Sequence, residues 1–249
     1  MAQNPNIKYI ALVHHETTTG AVSPIKKIGN QIKKCRSDAV YIVDSMSGFG
    51  ALPVDVLEDK IDFLISSPNK CFESVPGFAY VIANRKQLQK TGGINRTLCL
   101  DLYSQWQGLE KDGQFRFTPP THSILAFKEA LKEIEAEGGP SKRLLRYQNN
   151  HDILKAQMVE WGFKLYLSDE IQGPIISTFL EPENSKFDIH ILYNELASQG
   201  LLIYPGKLTA VNTFRIGTIG RIFESDIKSL LVGFKDACSK MGIALPLKE

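Results

Sequence analysis

The chain has 249 residues, 43% of them hydrophobic, which is enough to bury the core of one large domain or of two smaller ones. Its 29 lysines and arginines nearly balance 27 acidic residues, and the formal net charge of +2 is too weak to indicate a nucleic-acid or membrane partner. The four cysteines lie far apart without CxxC spacing, and we find no signal-like or membrane-spanning run, so we expect a soluble, cytoplasmic protein with reduced thiols.

The first predicted elements are a strand, a helix and a second strand. Residues 7–13 form an apolar run that predicts a buried strand and leads into a polar loop at residues 14–20. Residues 24–34 repeat isoleucine at helical spacing, and residues 39–44 form the next apolar run. A strand–helix–strand unit implies parallel strands, so we predict an α/β fold with a mostly parallel sheet.

Two adjacent histidines, His14 and His15, follow the first strand. Neighbouring side chains at a strand end point to opposite faces, and no third ligand follows at a useful spacing. We therefore predict no metal site.

Asp44 ends the second predicted strand. An aspartate in this place points into the crevice where open α/β sheets bind ligands. The alternative is a side chain that only caps the turn after the strand.

Lys70 follows the third predicted strand, residues 61–66, and a small polar cluster that ends in Asn69. A lysine between two buried strands would lose solvation, which lowers its pKa and makes its amine a nucleophile towards carbonyls. The alternative is a solvent-facing loop lysine. Pyridoxal phosphate needs a lysine that bonds to its aldehyde and a carboxylate against its pyridine nitrogen, and Lys70 and Asp44 fit these two roles.

Weaker patterns follow. Turn signals predict loops over residues 86–117, interrupted by a partly buried segment at residues 98–106 in which Tyr103 and Trp106 could line a site or pack in the core. A helix should begin near Thr121 and end at Gly138 and Gly139.

A shift towards charged helical residues near residue 142 marks the start of a second domain. The predicted elements are a long amphipathic helix, strands at 174–180, 201–205 and 214–217, and helices at 189–198 and 225–241. We predict a large α/β domain over residues 1–140 and a small α+β domain over residues 141–249.

Arg215 lies inside the apolar strand at 214–217. A buried guanidinium needs a partner or must face a cleft, and its planar fork suits a carboxylate or a phosphonate. The alternative is a buried ion pair with an aspartate or a glutamate.

Several strings in collinear order resemble those of the 2-aminoethylphosphonate:pyruvate aminotransferase family. They are HHETTTG, IVDSMSGFGALPVD, IDFLISSPNKCFESVPGFAYVIA, RFTPPTH, IYPGK and FRIGTIG. The resemblance implies a fold-type I, pyridoxal phosphate-dependent enzyme of class V. It also implies a homodimer that exchanges the amino group of 2-aminoethylphosphonate with pyruvate, giving phosphonoacetaldehyde and L-alanine in phosphonate metabolism.

The resemblance also implies a role for each site residue. Lys70 would carry the cofactor and move the proton, Asp44 would contact the pyridine nitrogen, and Asn69 would belong to the cofactor-binding set. Thr17 would reach the phenolic oxygen or a neighbouring position, Thr118 would contact the phosphate of the cofactor in the neighbouring subunit, and Arg215 would hold the acidic group of the substrate.

Two alternatives remain open. An alanine:glyoxylate or serine:pyruvate aminotransferase would use the same machinery on another substrate. Relative to the family, the chain begins within the large domain and lacks the turn that cradles the cofactor phosphate and the aromatic that stacks on the ring. A catalytically silent, truncated homologue with weak cofactor affinity is therefore the second alternative.

Overall fold

The structure is a computed structural model that describes residues 4, 6–206, 208 and 210–247. The chain divides into two compact units. The first comprises Met1–His14, Pro24–Phe49 and Pro53–Glu133. The second comprises His15–Ser23, Gly50–Leu52 and Ile134–Glu249, so two short segments from the first half of the chain belong with the C-terminal part.

The first unit contains a four-stranded sheet in the order β1-β2-β3-β4. The strands are β1 (Tyr9–Val13), β2 (Val40–Asp44), β3 (Phe63–Ser66) and β4 (Tyr80–Ala83). β1 pairs with β2 and β2 with β3 in parallel, whereas β4 pairs with β3 antiparallel. The predicted, mostly parallel sheet is confirmed.

Helix α1 (Ile25–Cys35) connects β1 to β2 and packs on the sheet through its apolar stripe. Ile25 and Ile32 are buried against Tyr41 of β2. Gly29 lies at the closest approach, where a Cβ atom would come within 2.1 Å of the Asp59 carbonyl oxygen. A larger residue there would push the helix off the chain segment before β3.

The prediction that residues 7–13 are buried is wrong for β1. Its residues alternate between exposed and half-buried, with Tyr9 and Val13 among the exposed ones. β1 is an edge strand of the described sheet, and an apolar run does not specify whether a neighbour covers that edge.

The prediction of loops over residues 86–117 is also wrong. Helices α2 (Arg85–Gln89) and α3 (Leu102–Asp112) lie there, and the Asp101 carboxylate caps α3 by accepting a hydrogen bond from Ser104 N. The predicted partial burial of residues 98–106 is found for Asp101, which is buried, and for residues 103–106, which are half-buried, whereas Leu98 and Leu100 are 62% and 78% exposed.

Helix α4 (Thr121–Glu137) begins and ends as predicted. Gly138 and Gly139 both adopt positive φ, and Gly139 N donates to the Ile134 carbonyl. This is the usual way in which a glycine pair terminates a helix.

In its described residues, the second unit contains a three-stranded antiparallel sheet and the helices α5, α6 and α7. The elements are α5 (Pro140–Glu160), β5 (Ile176–Leu180), α6 (Ile189–Ser198), β6 (Tyr204–Pro205), β7 (Thr213–Gly217) and α7 (Glu224–Lys240). The sheet order is β5-β7-β6. The strand predicted at residues 201–205 is shortened to the two residues of β6, while α6 occupies the predicted residues.

The two faces of β7 have different surroundings. Phe214 and Ile216 belong to the apolar core, where the Phe214 ring stacks on Phe179 of β5 at 5.5 Å. Side chains alternate along a strand, so Arg215 lies on the opposite face together with its cross-strand partners Thr178 and Tyr204. The fold therefore places a charged residue on the face turned away from the core.

Within the described part of the chain, no helix combines the length and the hydropathy that a membrane crossing requires.

Candidate active site

Asp44 stands at the carboxyl edge of the sheet in the first unit, where the parallel strands β1, β2 and β3 all end. Its side chain is exposed, and Oδ1 accepts a hydrogen bond from Met46 N at 2.9 Å. The turn-cap role considered from the sequence is therefore real. This hydrogen bond engages Oδ1, and the carboxylate remains accessible to solvent.

Buried polar groups cross-link the strand ends around Asp44. His14 N donates to the Asp44 carbonyl at 2.8 Å, and His14 Nδ1 lies 2.8 Å from the Ser45 hydroxyl. Ser45 N donates to the Ile65 carbonyl at 2.9 Å, and the Ser66 hydroxyl donates to the Ser45 carbonyl at 3.2 Å. These contacts fix the backbone from which the Asp44 carboxylate projects.

His14 is neutral in this arrangement. Burial lowers the pKa of its imidazole to about 4, because the charged form would lose its hydration. A neutral ring that shares a hydrogen bond with a serine can support the strand ends without adding charge next to Asp44.

Lys70 lies in a tight turn after β3. Glu73 N donates to the Lys70 carbonyl at 2.9 Å, and Ser74 N donates to the Pro68 carbonyl at 3.0 Å. The next residue, Cys71, is fully buried and its Sγ contacts the Ser47 carbonyl at 3.2 Å. The turn that carries Lys70 is thus tied to the loop that follows Asp44.

The predicted loss of solvation at Lys70 is not found, because its side chain is exposed in the chain. The buried positions are Cys71 and Phe72, and the Phe72 ring packs on Phe127 of α4 at 5.3 Å. The apolar contacts that hold the turn therefore come from the residues after the lysine. Asn69, directly before it, is half-buried.

Thr118 is exposed in the extended segment that leads into α4. Arg116 is held by Asp101 at 3.1 Å, and the Ser123 hydroxyl donates to the Pro76 carbonyl at 3.1 Å. These contacts fix the chain on both sides of Thr118 and leave its hydroxyl accessible.

Thr17 lies in the second unit, in a turn formed by residues 16–21. Glu16 N donates to the Ala21 carbonyl at 2.8 Å, and Gly20 N donates to the Glu16 carbonyl at 2.7 Å. Gly20 has a φ of 91° and passes so close to β5 that a Cβ atom would lie 2.2 Å from the Ile176 carbonyl oxygen. The turn is consequently closed and held against the small sheet.

Arg215 is 8% exposed, and the contacts of its guanidinium with the described part of the chain are with neutral groups. Nη1 donates to the Thr17 carbonyl at 2.7 Å, Nε donates to the Pro205 carbonyl at 3.4 Å, and the Tyr204 ring centroid lies 5.8 Å from Cζ. The alternative of a buried ion pair is not found, since no acidic side chain in the described ranges pairs with Arg215.

A guanidinium that is buried without a carboxylate can offer its remaining N–H groups to an anion. Backbone carbonyls contribute partial negative charge but leave the formal charge uncompensated. The surroundings of Arg215 therefore favour a binding site for an acidic ligand group.

Each unit holds one pair of predicted residues. Asp44 ends β2 and Lys70 lies in the turn after the neighbouring strand β3, and the Thr17 carbonyl accepts a hydrogen bond from Arg215. Sequence reasoning missed Glu16 and Tyr204. Tyr204 could have been suggested by the strand pattern, but no local pattern reveals that residue 17 contacts residue 215.

The donor set of the first unit fits pyridoxal phosphate. An exposed carboxylate ends β2 and an exposed primary amine lies in the turn after the adjacent strand β3, and these groups could contact the pyridine nitrogen and the aldehyde carbon. The Thr118 hydroxyl is accessible to a phosphate. Among the described residues, no group of three potential metal ligands occurs.

Comparisons with known proteins agree with this fold. Residues 2–218 match the family model described as Aminotransferase class-V. A 2-aminoethylphosphonate–pyruvate transaminase of Syntrophobacter fumaroxidans is 47% identical over 240 residues, which are 96% of this chain and 64% of that relative. The chain thus spans 64% of the length of this curated relative.

Solved structures of aminotransferases share the fold. Pyridoxamine-pyruvate aminotransferase from Mesorhizobium loti superposes with a TM-score of 0.88 at 24% identity, covering 98% of this chain and 63% of that one. Ureidoglycine-glyoxylate aminotransferase from Bacillus subtilis gives a TM-score of 0.83 at 25% identity, with 96% and 62% covered. The predicted fold-type I architecture is confirmed. Because the family model matches residues 2–218 and a curated relative is 47% identical, the chain belongs to the class-V aminotransferase family.

Proposed function

We propose that the protein is a pyridoxal phosphate-dependent aminotransferase that uses 2-aminoethylphosphonate and pyruvate and forms phosphonoacetaldehyde and L-alanine, in phosphonate metabolism. The observation that carries this proposal is Arg215, a buried guanidinium without a carboxylate partner among the described residues. The curated relative at 47% identity bears the name of this activity.

Arg215 would bind the acidic group of both substrates in turn. A phosphonate and a carboxylate each present two oxygen atoms at a spacing that matches the guanidinium fork. The Thr17 carbonyl and the Tyr204 ring limit the directions in which the fork can point, so the substrate would be oriented as well as bound.

Lys70 would carry out the proton transfers. Bound pyridoxal phosphate would supply the electron sink that makes the proton on the amino-bearing carbon acidic. Lys70 Nζ would accept this proton from the donor and, in the second half of the exchange, deliver a proton to the former carbonyl carbon of pyruvate. An exposed amine on a fixed turn is free to move between these positions.

Asp44 would keep the pyridine nitrogen protonated. The buried contacts of His14, Ser45 and Ser66 hold its backbone, so the carboxylate would need little reorganisation on binding. Asn69 and Thr17 would complete the cofactor-binding set in this proposal.

We further propose a cytoplasmic homodimer in which Thr118 reaches the cofactor phosphate of the partner subunit. The exposed hydroxyl on a fixed segment supports this assignment. Sedimentation of the protein with and without pyridoxal phosphate tests it, and a monomer that remains fully active would contradict it.

The alternative is an aminotransferase of the alanine:glyoxylate or serine:pyruvate type, which the structural likeness to a glyoxylate aminotransferase makes worth testing. A panel of amino donors, scored by alanine formed from pyruvate, separates the two. We expect 2-aminoethylphosphonate to be the preferred donor. A higher catalytic efficiency with serine, or with glyoxylate as acceptor, would show that the substrate assignment is wrong.

A further inference from the structure

Glu16 makes two contacts with its own turn that the proposed reaction does not use. Its Oε1 atom accepts a hydrogen bond from Thr18 N at 2.9 Å and another from the Thr18 hydroxyl at 2.8 Å. These hydrogen bonds lower the pKa of the Glu16 carboxyl below its ordinary value, so the group is ionised at neutral pH. A charged acceptor therefore holds Thr18 through both its backbone and its side chain.

The residue between them, Thr17, cannot rotate freely once Glu16 and Thr18 are joined. Its carbonyl oxygen is the nearest acceptor of Arg215, with Nη1 at 2.7 Å. The closure of the turn by the Gly20–Glu16 backbone hydrogen bond limits this carbonyl further. The direction of the Thr17 carbonyl thus depends on Glu16, although Glu16 does not itself pair with Arg215.

The guanidinium depends on this carbonyl because its other contacts with the described residues are weak. The hydrogen bond to the Pro205 carbonyl is long at 3.4 Å, and the Tyr204 ring is 62% exposed and restrains only the plane of the group. An unrestrained arginine side chain has many rotamers, and each one lost on ligand binding costs affinity. Fixing Nη1 beforehand removes part of that cost.

We propose that Glu16 is a positioning residue for substrate recognition, which acts through Thr18 and Thr17 to orient Arg215 towards the phosphonate or carboxylate group of the substrate. The inference rests on the proposed function in so far as Arg215 binds that group. It assigns to Glu16 a task that requires a hydrogen-bond acceptor at Oε1 and does not require its negative charge.

The experiment compares three variants of the protein. Glu16→Ala removes the acceptor and should raise KM for both acidic substrates roughly tenfold, within the range expected for a lost hydrogen bond, with kcat changed by no more than about twofold. Glu16→Gln keeps a carbonyl oxygen in place and should restore KM to within about twofold of the parent.

Thr19→Val is the matched control. It removes another side-chain hydrogen bond of the same turn, the one from Ala21 N to Thr19 Oγ1 at 3.2 Å, but leaves Glu16, Thr18 and Thr17 untouched. Its KM values should stay close to those of the parent. An equal rise of KM in Thr19→Val and Glu16→Ala would mean that any softening of the turn has the same effect, which overturns the specific role of Glu16.

Binding of methylphosphonate, measured by calorimetry on the same variants, separates this inference from the proposed function. We expect weaker binding in Glu16→Ala and recovery in Glu16→Gln. If the parent binds methylphosphonate in this pattern but does not transaminate 2-aminoethylphosphonate, the proposed function fails and the inference stands. Identical methylphosphonate affinity and KM in Glu16→Ala and the parent would refute the inference, whatever the melting temperature.

Discussion

Replacement of Arg215 separates substrate recognition from structural support. Arg215→Ala removes a guanidinium that is 8% exposed and that has no acidic partner among the described residues. A bidentate, charge-assisted contact to a substrate anion in such a place should contribute about 2–4 kcal/mol to transition-state binding, which corresponds to a loss of roughly 30- to several-hundred-fold in kcat/KM.

The effect on stability should be small by comparison. The variant loses the hydrogen bond to the Thr17 carbonyl, which costs about 1.5–3 kcal/mol for a charged donor, but it also relieves the cost of burying an uncompensated charge. These contributions have opposite signs. We therefore expect a melting temperature within a few degrees of that of the parent.

The assay combines steady-state kinetics for both acidic substrates with thermal unfolding. Arg215→Lys should recover only part of the lost efficiency, because an ammonium group cannot reproduce the fork. A variant that melts far below the parent, with unchanged KM in its folded fraction, would show that Arg215 is structural and that the assignment of substrate binding is wrong.

Three further predictions follow from the geometry. Asp44→Asn keeps an oxygen that can accept the hydrogen bond from Met46 N but loses the negative charge. The value of kcat should therefore fall on the order of 100-fold, with little change in melting temperature. An unchanged kcat would show that Asp44 has no part in the mechanism. The pKa of His14 is about 4 in the folded protein and about 6.5 in the unfolded protein, so the unfolded state binds more protons between these pH values. The free energy of unfolding should therefore fall by up to about 3 kcal/mol as the pH drops from 6.5 to 4. Unfolding measured at several pH values should show a flatter pH dependence for His14→Gln than for the parent. Gly20→Ala should destabilise the second unit by about 1–3 kcal/mol, because φ is positive and the Ile176 carbonyl leaves no room for a Cβ atom; a parent-like melting temperature would contradict the close approach.

Elements with strong local patterns could be predicted from the sequence. α6 occupies the predicted residues, and α1 and β2 are within one residue at each end, because their apolar spacing and flanking polar residues are clear. α3 was missed because it presents no buried stripe, so its local signals were limited to the Asp101 cap and to Gly113, which ends the helix with a positive φ. The exposure of β1 could not be predicted, since hydrophobicity along a strand does not specify what covers its edge.

Some residues of the candidate site could likewise be found from the sequence, whereas others could not. Asp44 and Lys70 could be found because Asp44 ends an apolar run and Lys70 comes shortly after another, and parallel strands bring such ends to one edge. The contact between the Thr17 carbonyl and Arg215 could not be found from the sequence, because a hydrogen bond between residues 198 positions apart leaves no periodic pattern. The exposure of Lys70 depends on Cys71 and Phe72 taking the buried positions, which also requires the tertiary structure.

The central claim is that Lys70 is the residue that bonds to the cofactor. The protein should be incubated with pyridoxal phosphate and treated with borohydride, and the modified peptides should be identified by mass spectrometry. We predict that the cofactor mass is fixed on the peptide that contains Lys70, that 2-aminoethylphosphonate added before reduction prevents this, and that Lys70→Ala shows no specific modification. Modification that is spread over surface lysines and unchanged in Lys70→Ala would contradict the account.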